Sequence, residues 1–229
     1  MSEGARGVNP RVRLGESTVE LLPERAAYWL EQKTLLVADL HLGKAETFQR
    51  AGLAIPSGHG HTDLQRLSDL QERTGAVALY ILGDMVHAKS GLTGEVVKVV
   101  GGWLETFPAS VTLILGNHDR SAGRLPEGWR LELHPEPFSI GGLTLRHSPA
   151  PDLGAAVQGH LHPVASLRSR TDALRLPCFV LEEEQLTLPA FGSFTGGALV
   201  RRAAGRLRFA VAETQVVALD ETSNRADKY

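Results

Sequence analysis

Apolar positions along the chain follow two regimes. In the first half, unbroken apolar runs alternate with helix-spaced ones; in the second, short segments alternate apolar and polar residues. The runs Thr34 to His41, 76–82 and 110–115 have the character of strands buried on both faces. Between them the spacing predicts helices over 43–51, with Phe48 as a core contact, over 62–74, with Leu64, Leu67 and Leu70, and over 93–107. Gly52 and Pro56 mark 53–61 as a loop. Before these units, Ser17 to Leu22 alternates, Pro23 interrupts and 26–30 resumes, which reads as a β-hairpin or meander at a sheet edge.

After Asp119 the chain is polar and punctuated by Pro and Gly as far as Arg130. Short strands are then expected at 131–134, 138–140, 143–147, 155–158, 178–181, 185–188, 198–202 and 206–212, with a disordered tail over 220–229. No fixed-period repeat or low-complexity tract is present. Crossovers of βαβ type followed by a β-rich half can pack two sheets face to face with helices outside. The expectation is one domain over 1–219, made of an edge hairpin (11–33), a core (34–162) and a β-rich part (163–219).

Composition narrows the function classes. The 229 residues are 42% hydrophobic, enough for a substantial core, and the net charge of −2 argues against a basic coat for nucleic acid. Any such binding must be local. A lone Cys178 excludes an intramolecular disulfide and a Cys-rich zinc site and favours a reducing compartment. With no apolar core of signal-peptide length in Met1 to Pro10 and no apolar run of spanning length anywhere, a cytoplasmic location and no membrane association are expected. A homo-oligomer is compatible with the sequence.

The candidate chemistry sits where the apolar strands stop. Asp39 and His41 follow the first, Gly83 and Asp84 the second, Gly116, Asn117, His118 and Asp119 the third; His147 and the pair His160 and His162 end later strands. Carboxylate, amide oxygen and imidazole are the donors that hold divalent cations, and open sheets expose their loop ends to ligands. Two cations balanced by two aspartates would leave a site whose charge suits phosphate.

This order, Asp-x-His, Gly-Asp, Gly-Asn-His-Asp, His, Gly-His-x-His, resembles the calcineurin-like metallophosphoesterase family. The resemblance implies an α/β fold, a four-layer α/β/β/α sandwich, with the site at the strand ends. It further implies two divalent ions, manganese first and iron or zinc as alternatives. Asp39, His41 and His162 would hold one, and Asn117, His147 and His160 the other, with Asp84 bridging and His118 facing the scissile phosphate as the catalytic residue. Asp119 would orient backbone or His118.

Residues 39–50 (DLHLGKAETFQR) and the loop Gly52 to Pro56 are similar to the ligase-associated DNA damage response endonuclease subfamily. That implies a manganese-dependent phosphodiesterase acting on DNA, preferring single strands, in DNA repair, with a DNA ligase and a helicase as functional associates. Lys44, Arg50, His87 and Arg120 are the candidate substrate contacts, His87 standing where the wider family commonly has Asp. Arg146 is a further candidate for holding phosphate, and Arg201, Arg202, Arg206 and Arg208 could extend a DNA track from the polar face of a hairpin. His59 and His61 resemble a ligand pair but follow no strand, so an exposed or helix-cap place is expected. The alternatives are a phosphatase for nucleotides or other small phosphoesters, and a non-enzymatic scaffold. The complete donor set speaks against the scaffold.

Overall fold

Where the sequence alternates the chain forms edge strands, and where it runs apolar it forms central ones. In the computed structural model, which describes residues 8–56, 58–151, 154–168 and 173–220, β1 (Arg11–Leu14), β2 (Ser17–Leu22) and β3 (Ala26–Trp29) build an antiparallel meander. β4 (Thr34–Val37) closes it and starts the crossover half, which runs α1 (Lys44–Arg50), α2 (His59–Thr74), β5 (Ala78–Leu82), α3 (Gly94–Thr106), β6 (Ser110–Ile114), α4 (Asn117–Ala122) and β7 (Glu132–His134). The seven strands form one sheet in chain order, antiparallel up to β4 and parallel beyond it. Parallel pairing puts the C-terminal ends of β4, β5 and β6 side by side.

The second sheet is built from β8 (Phe138–Ile140), β9 (Leu143–Leu145), β10 (Ala156–Gln158), β11 (Pro163–Arg168), β12 (Ala173–Glu182), β13 (Gln185–Thr187), β14 (Ala198–Leu199), β15 (Arg206–Ala212) and β16 (Gln215–Ala218). Its order is β14-β11-β12-β13-β10-β9-β8, with β15 on β12 and β16 on β15. β10 lies parallel to both β9 and β13, so the sheet is mixed.

Alternation along the strands divides the core. Leu21, Trp29, Leu36, Leu82 and Ile114 meet Leu145, Val157, Phe179, Leu186 and Phe209 between the sheets. The opposite face of the first sheet, with Leu35, Val37, Leu79, Ile81 and Leu113, packs on Leu64, Leu67 and Leu70 of α2 and Val100 and Leu104 of α3. This is the implied α/β sandwich of two mixed sheets with flanking helices. All helices among the described residues fall between 44 and 122, so the second sheet carries no helical layer among those residues. Cys178 and Val180 alternate with the inward Phe179 and Leu181, and cluster instead with Ala165, Val200 and Leu219. Burial pushes the Cys178 thiol up to about 12, the inert state of a core cysteine.

Several boundaries differ from the sequence reading. α2 starts at His59 rather than Thr62, because Gly58 turns the chain at φ 98° and its carbonyl accepts the Thr62 N–H; low helix propensity at Gly60 had pointed to loop. α4 carries the chain past Asp119 as far as Ala122, into the start of the stretch expected to be irregular. β11 and the first residues of β12 lie outside the short strands expected, since Ser166, Arg168 and Arg175 interrupt the apolar positions there. Asp220, placed in the tail, is instead paired with Arg208 at 2.9 Å; residues 1–7 and 221–229 lie outside the described residues. No helix among the described residues is long and apolar enough to cross a membrane.

Candidate metal centre

The loops leaving β4 and β5 are laced together by backbone bonds. The N–H groups of Asp39, His41 and Leu42 donate to the carbonyls of Gly83, Asp84 and Met85, at 3.1, 2.9 and 2.9 Å. In the two laced loops Asp39, His41 and Asp84 have positive φ, and so do His160 and His162 in the loop after β10. A non-glycine residue held there costs on the order of 1–3 kcal/mol, and such strain gathers where side chains must be aimed. Here it turns five donors inward at one edge.

Two sets of donor atoms result, sharing one carboxylate oxygen. In the first, His162 Nε2 lies 3.2 Å from Asp39 Oδ1 and 3.3 Å from His41 Nε2, and His41 Nε2 lies 3.9 Å from Asp84 Oδ2. In the second, His147 Nε2 lies 3.0 Å from Asn117 Oδ1, 3.0 Å from His160 Nδ1 and 3.4 Å from Asp84 Oδ2. His147 Nδ1 faces the Leu82 carbonyl at 3.0 Å, so that nitrogen keeps a proton and Nε2, once it gives up its own, is the atom that would face a cation. The seven residues expected as ligands are thus brought together.

The donors fit cations. Asp39 Oδ2 accepts the His160 N–H at 2.9 Å, whereas Oδ1 is fully buried with no hydrogen-bond partner. An orphaned carboxylate oxygen aimed at two imidazole nitrogens costs several kcal/mol unless a positive charge satisfies it. Burial, together with the charges of His162, His118 and Lys44, pushes His41 down to about 3 against the pull of Asp84. It is therefore neutral, as a ligand must be. Burial works against the charged form of His147 too, but Asp84 and Asp39 outweigh it and raise this imidazole to about 9. The same partnership holds the Asp84 carboxyl below its ordinary value despite burial.

Asp119 supports this edge without entering it: Oδ1 accepts the Val86 N–H and Oδ2 the Gly116 N–H, both at 3.0 Å. His118 leans over the centre. Its Nδ1 donates to the His87 carbonyl at 2.6 Å, and its backbone N–H donates to Asp84 Oδ1 at 2.9 Å. The His87 ring stacks beside His118 and brings Nδ1 to 3.3 Å from His41 Nδ1, giving a trio of imidazoles next to the two donor sets. Burial and the charges of His118 and Lys44 lower His87 to about 4.

The cationic candidates separate. Lys44 stays by the centre, its ammonium 5.8 Å from the Phe194 ring. Arg50 falls on the other side of α1, lining a cavity of about 470 Å³ with Glu46, Gln49, His61 and Val96. Arg120 is ion-paired with Glu136 at 3.0 Å, and Glu136 in turn accepts the N–H groups of His147 and Ser148. Arg146 is buried, bonded to Gln158 and Gln185. Arg206 and Arg208 are committed to Glu182 and Asp220, and Arg202 lies 3.7 Å from Asp220. His59 stacks on Phe194, and Phe194 itself was missed from the sequence because nothing in an irregular loop marks its proximity to residues 48 and 59.

Residues 32–172 match the calcineurin-like phosphoesterase family. Among solved structures, nuclease MPE of Pseudomonas putida shares 34% identity over 92% of this chain and 100% of that one, with a TM-score of 0.80. YfcE, a phosphoesterase from E. coli, is 18% identical over 81% of this chain and 96% of that one at a TM-score of 0.42. An Aquifex aeolicus protein of unknown function is 18% identical over 56% and 78%, at 0.40. No curated protein matches the chain.

Proposed function

The chain belongs to the calcineurin-like phosphoesterase family and is a metal-dependent phosphoesterase, and from that premise we propose that it is a nuclease that hydrolyses phosphodiester bonds in DNA, preferring single strands. The observation that carries the reading is the similarity, over 92% of this chain, to a nuclease at 34% identity. The donor geometry supports two cations, one held by Asp39, His41 and His162, the other by Asn117, His147 and His160, with Asp84 Oδ2 within 3.9 Å of a nitrogen in each set. Mixed imidazole, carboxylate and amide donors suit manganese, with iron or zinc as competitors. A role in DNA repair beside a DNA ligase and a helicase rests on the finer resemblance to the ligase-associated endonuclease PdeM in residues 39–56.

When bound, the cations supply Lewis acidity toward the phosphate and activate water. The protein's own groups do the rest. His118, with Nδ1 committed to the His87 carbonyl, presents Nε2 as the only free nitrogen of its ring and can deliver a proton to the departing oxygen or a hydrogen bond to a phosphate oxygen. The neutral imidazoles of His41 and His87 add no positive charge to compete with the cations.

A manganese-supplemented assay comparing circular single-stranded DNA, duplex DNA, nucleotides and a chromogenic phosphodiester tests this reading. Cleavage of the circle, which has no ends, is the expected result and identifies an endonuclease. Turnover confined to nucleotides or small esters would replace it with the phosphatase alternative.

A further inference from the structure

A file of aromatic rings leads out of the metal centre. The His87 ring lies 5.3 Å from that of His41, Phe48 lies 5.9 Å from His87, Phe194 6.0 Å from Phe48, and His59 stacks on Phe194 at 5.0 Å with the planes 13° apart. His87, Phe48, Phe194 and His59 are each only half-buried, so the file is a surface feature. Lys44 sits over the Phe194 ring, its ammonium 5.8 Å from the centroid. Lys44 and Phe48, one helical turn apart, share the face of α1 turned to this file.

Phe194 is held in place by bonds that reach the metal donors themselves. The N–H groups of Phe191 and Gly192 donate to the carbonyls of Ala38 and Asp39, at 2.8 and 3.1 Å. Asp63 of α2 accepts the Ser193 N–H at 2.9 Å, and Arg66 stacks over the Phe191 ring at 3.9 Å while donating to its carbonyl. At Gly192 a Cβ would strike the carbonyl of Leu40, so close approach requires glycine there. Burial of the charged Asp63 and Arg66 against this loop is costly, and their 3.0 Å ion pair, the bonds to the loop, and the charges of Arg25 beside Asp63 and Glu24 beside Arg66 offset it. The outcome is an aromatic side chain fixed relative to Asp39.

We infer that this file is a stacking track for the bases of an unpaired nucleic-acid strand, with Lys44 beside it for a backbone phosphate. The inference rests on the nuclease reading and specifies how the strand is held. Every base has a π-face, so aromatic stacking binds strands irrespective of sequence, and a duplex, whose bases are already stacked on one another, cannot use it. A net acidic chain with Arg206 and Arg208 committed to carboxylates needs such a non-ionic contribution to hold a polyanion.

The test is fluorescence anisotropy with the full metal-loaded chain carrying His118→Ala to prevent cutting, using a short oligothymidylate and an abasic strand of the same length. Adding Phe194→Leu weakens oligothymidylate binding about tenfold, since stacking on one ring contributes roughly 5- to 150-fold per base, and leaves the abasic strand's weak binding as it was. Equal affinity for oligothymidylate with and without Phe194, or equal losses on both strands, overturns the track. Should thermal melting show Phe194→Leu to be misfolded, Phe48→Leu is read by the same criteria. Absence of binding to either strand with all rings intact, together with no cleavage by the unmodified chain, overturns the nuclease reading itself, an outcome distinct from failure of the track.

Discussion

The Nδ1–H of His118 donates to the carbonyl oxygen of His87 at 2.6 Å, which leaves its Nε2 3.9 Å from Asp84 Oδ2. A ring held in this way has one free nitrogen, aimed at the carboxylate shared by both donor sets, and is not itself a member of either. His118→Ala should keep its bound metal and lose about 10²- to 10⁴-fold in activity on DNA. Elemental analysis checks the first part. If the variant cleaves a p-nitrophenyl ester, whose leaving group needs no proton, as poorly as it cleaves DNA, His118 binds phosphate rather than donating a proton.

Asp84 is the single oxygen donor common to both sets, so Asp84→Ala should reduce bound metal at both positions and abolish activity. A subtler variant reaches the same residue. Gly116 has φ −84° and ψ −179°, a backbone any residue adopts, yet a Cβ there would collide with Asp84 Oδ1. Gly116→Ala should therefore act by displacing Asp84, with a loss of about 10²-fold, the scale of a 1 Å misplacement. Full activity in Gly116→Ala would mean that the carboxylate can move without cost.

The first-sheet half of this site was legible because β4, β5 and β6 are unbroken apolar runs that end in donors, and parallel pairing brings such ends together. His147, His160 and His162 could be read as strand-end residues as well, but their approach to Asp39 depends on how the second sheet packs on the first, which no local pattern encodes. Lys44 and Arg50 looked alike from the sequence; helical geometry puts them on different faces of α1. Phe194 and Asp63 were invisible for a different reason. Both act through the loop before β14, whose placement comes from backbone bonds to Ala38 and Asp39 far away in the chain.

The pair Asp84 and His147 predicts opposite pH trends for the metal-free and metal-loaded protein. His147 is raised from 6.5 to about 9 in the fold, so its charged form contributes stability that is fully present below pH 6.5 and lost as pH rises through about 9. Metal binding requires Nε2 without a proton, so the loaded protein gains over the same range as proton competition declines. Thermal melts of chelator-treated and manganese-loaded protein between pH 6.5 and 9 should diverge, the first falling and the second holding or rising. A chelated protein that gains stability across this window would show that the imidazole is not carrying the proton the geometry gives it.

Lys44 and Arg50 offer the sharpest separation between charge at the strand's path and charge elsewhere on the same helix. Lys44 lies beside Phe194 and close enough to His41 and His87 for its charge to depress both imidazoles, whereas Arg50 is exposed and faces the cavity between α1, α2 and α3. Removing one phosphate contact to a single strand lowers the salt slope of binding by about 0.7. Lys44→Ala should accordingly weaken single-stranded DNA binding and flatten its dependence on salt, and Arg50→Ala should do neither. Burial lowers the Lys44 pKa, so its charge has already lost part of its hydration in the free protein, and an arriving phosphate offsets that loss with opposite charge. A salt series on both single variants decides the matter: equal slopes for Lys44→Ala and the unmodified chain would remove Lys44 from the strand's path, and a flattened slope for Arg50→Ala would move that path across α1 to the cavity.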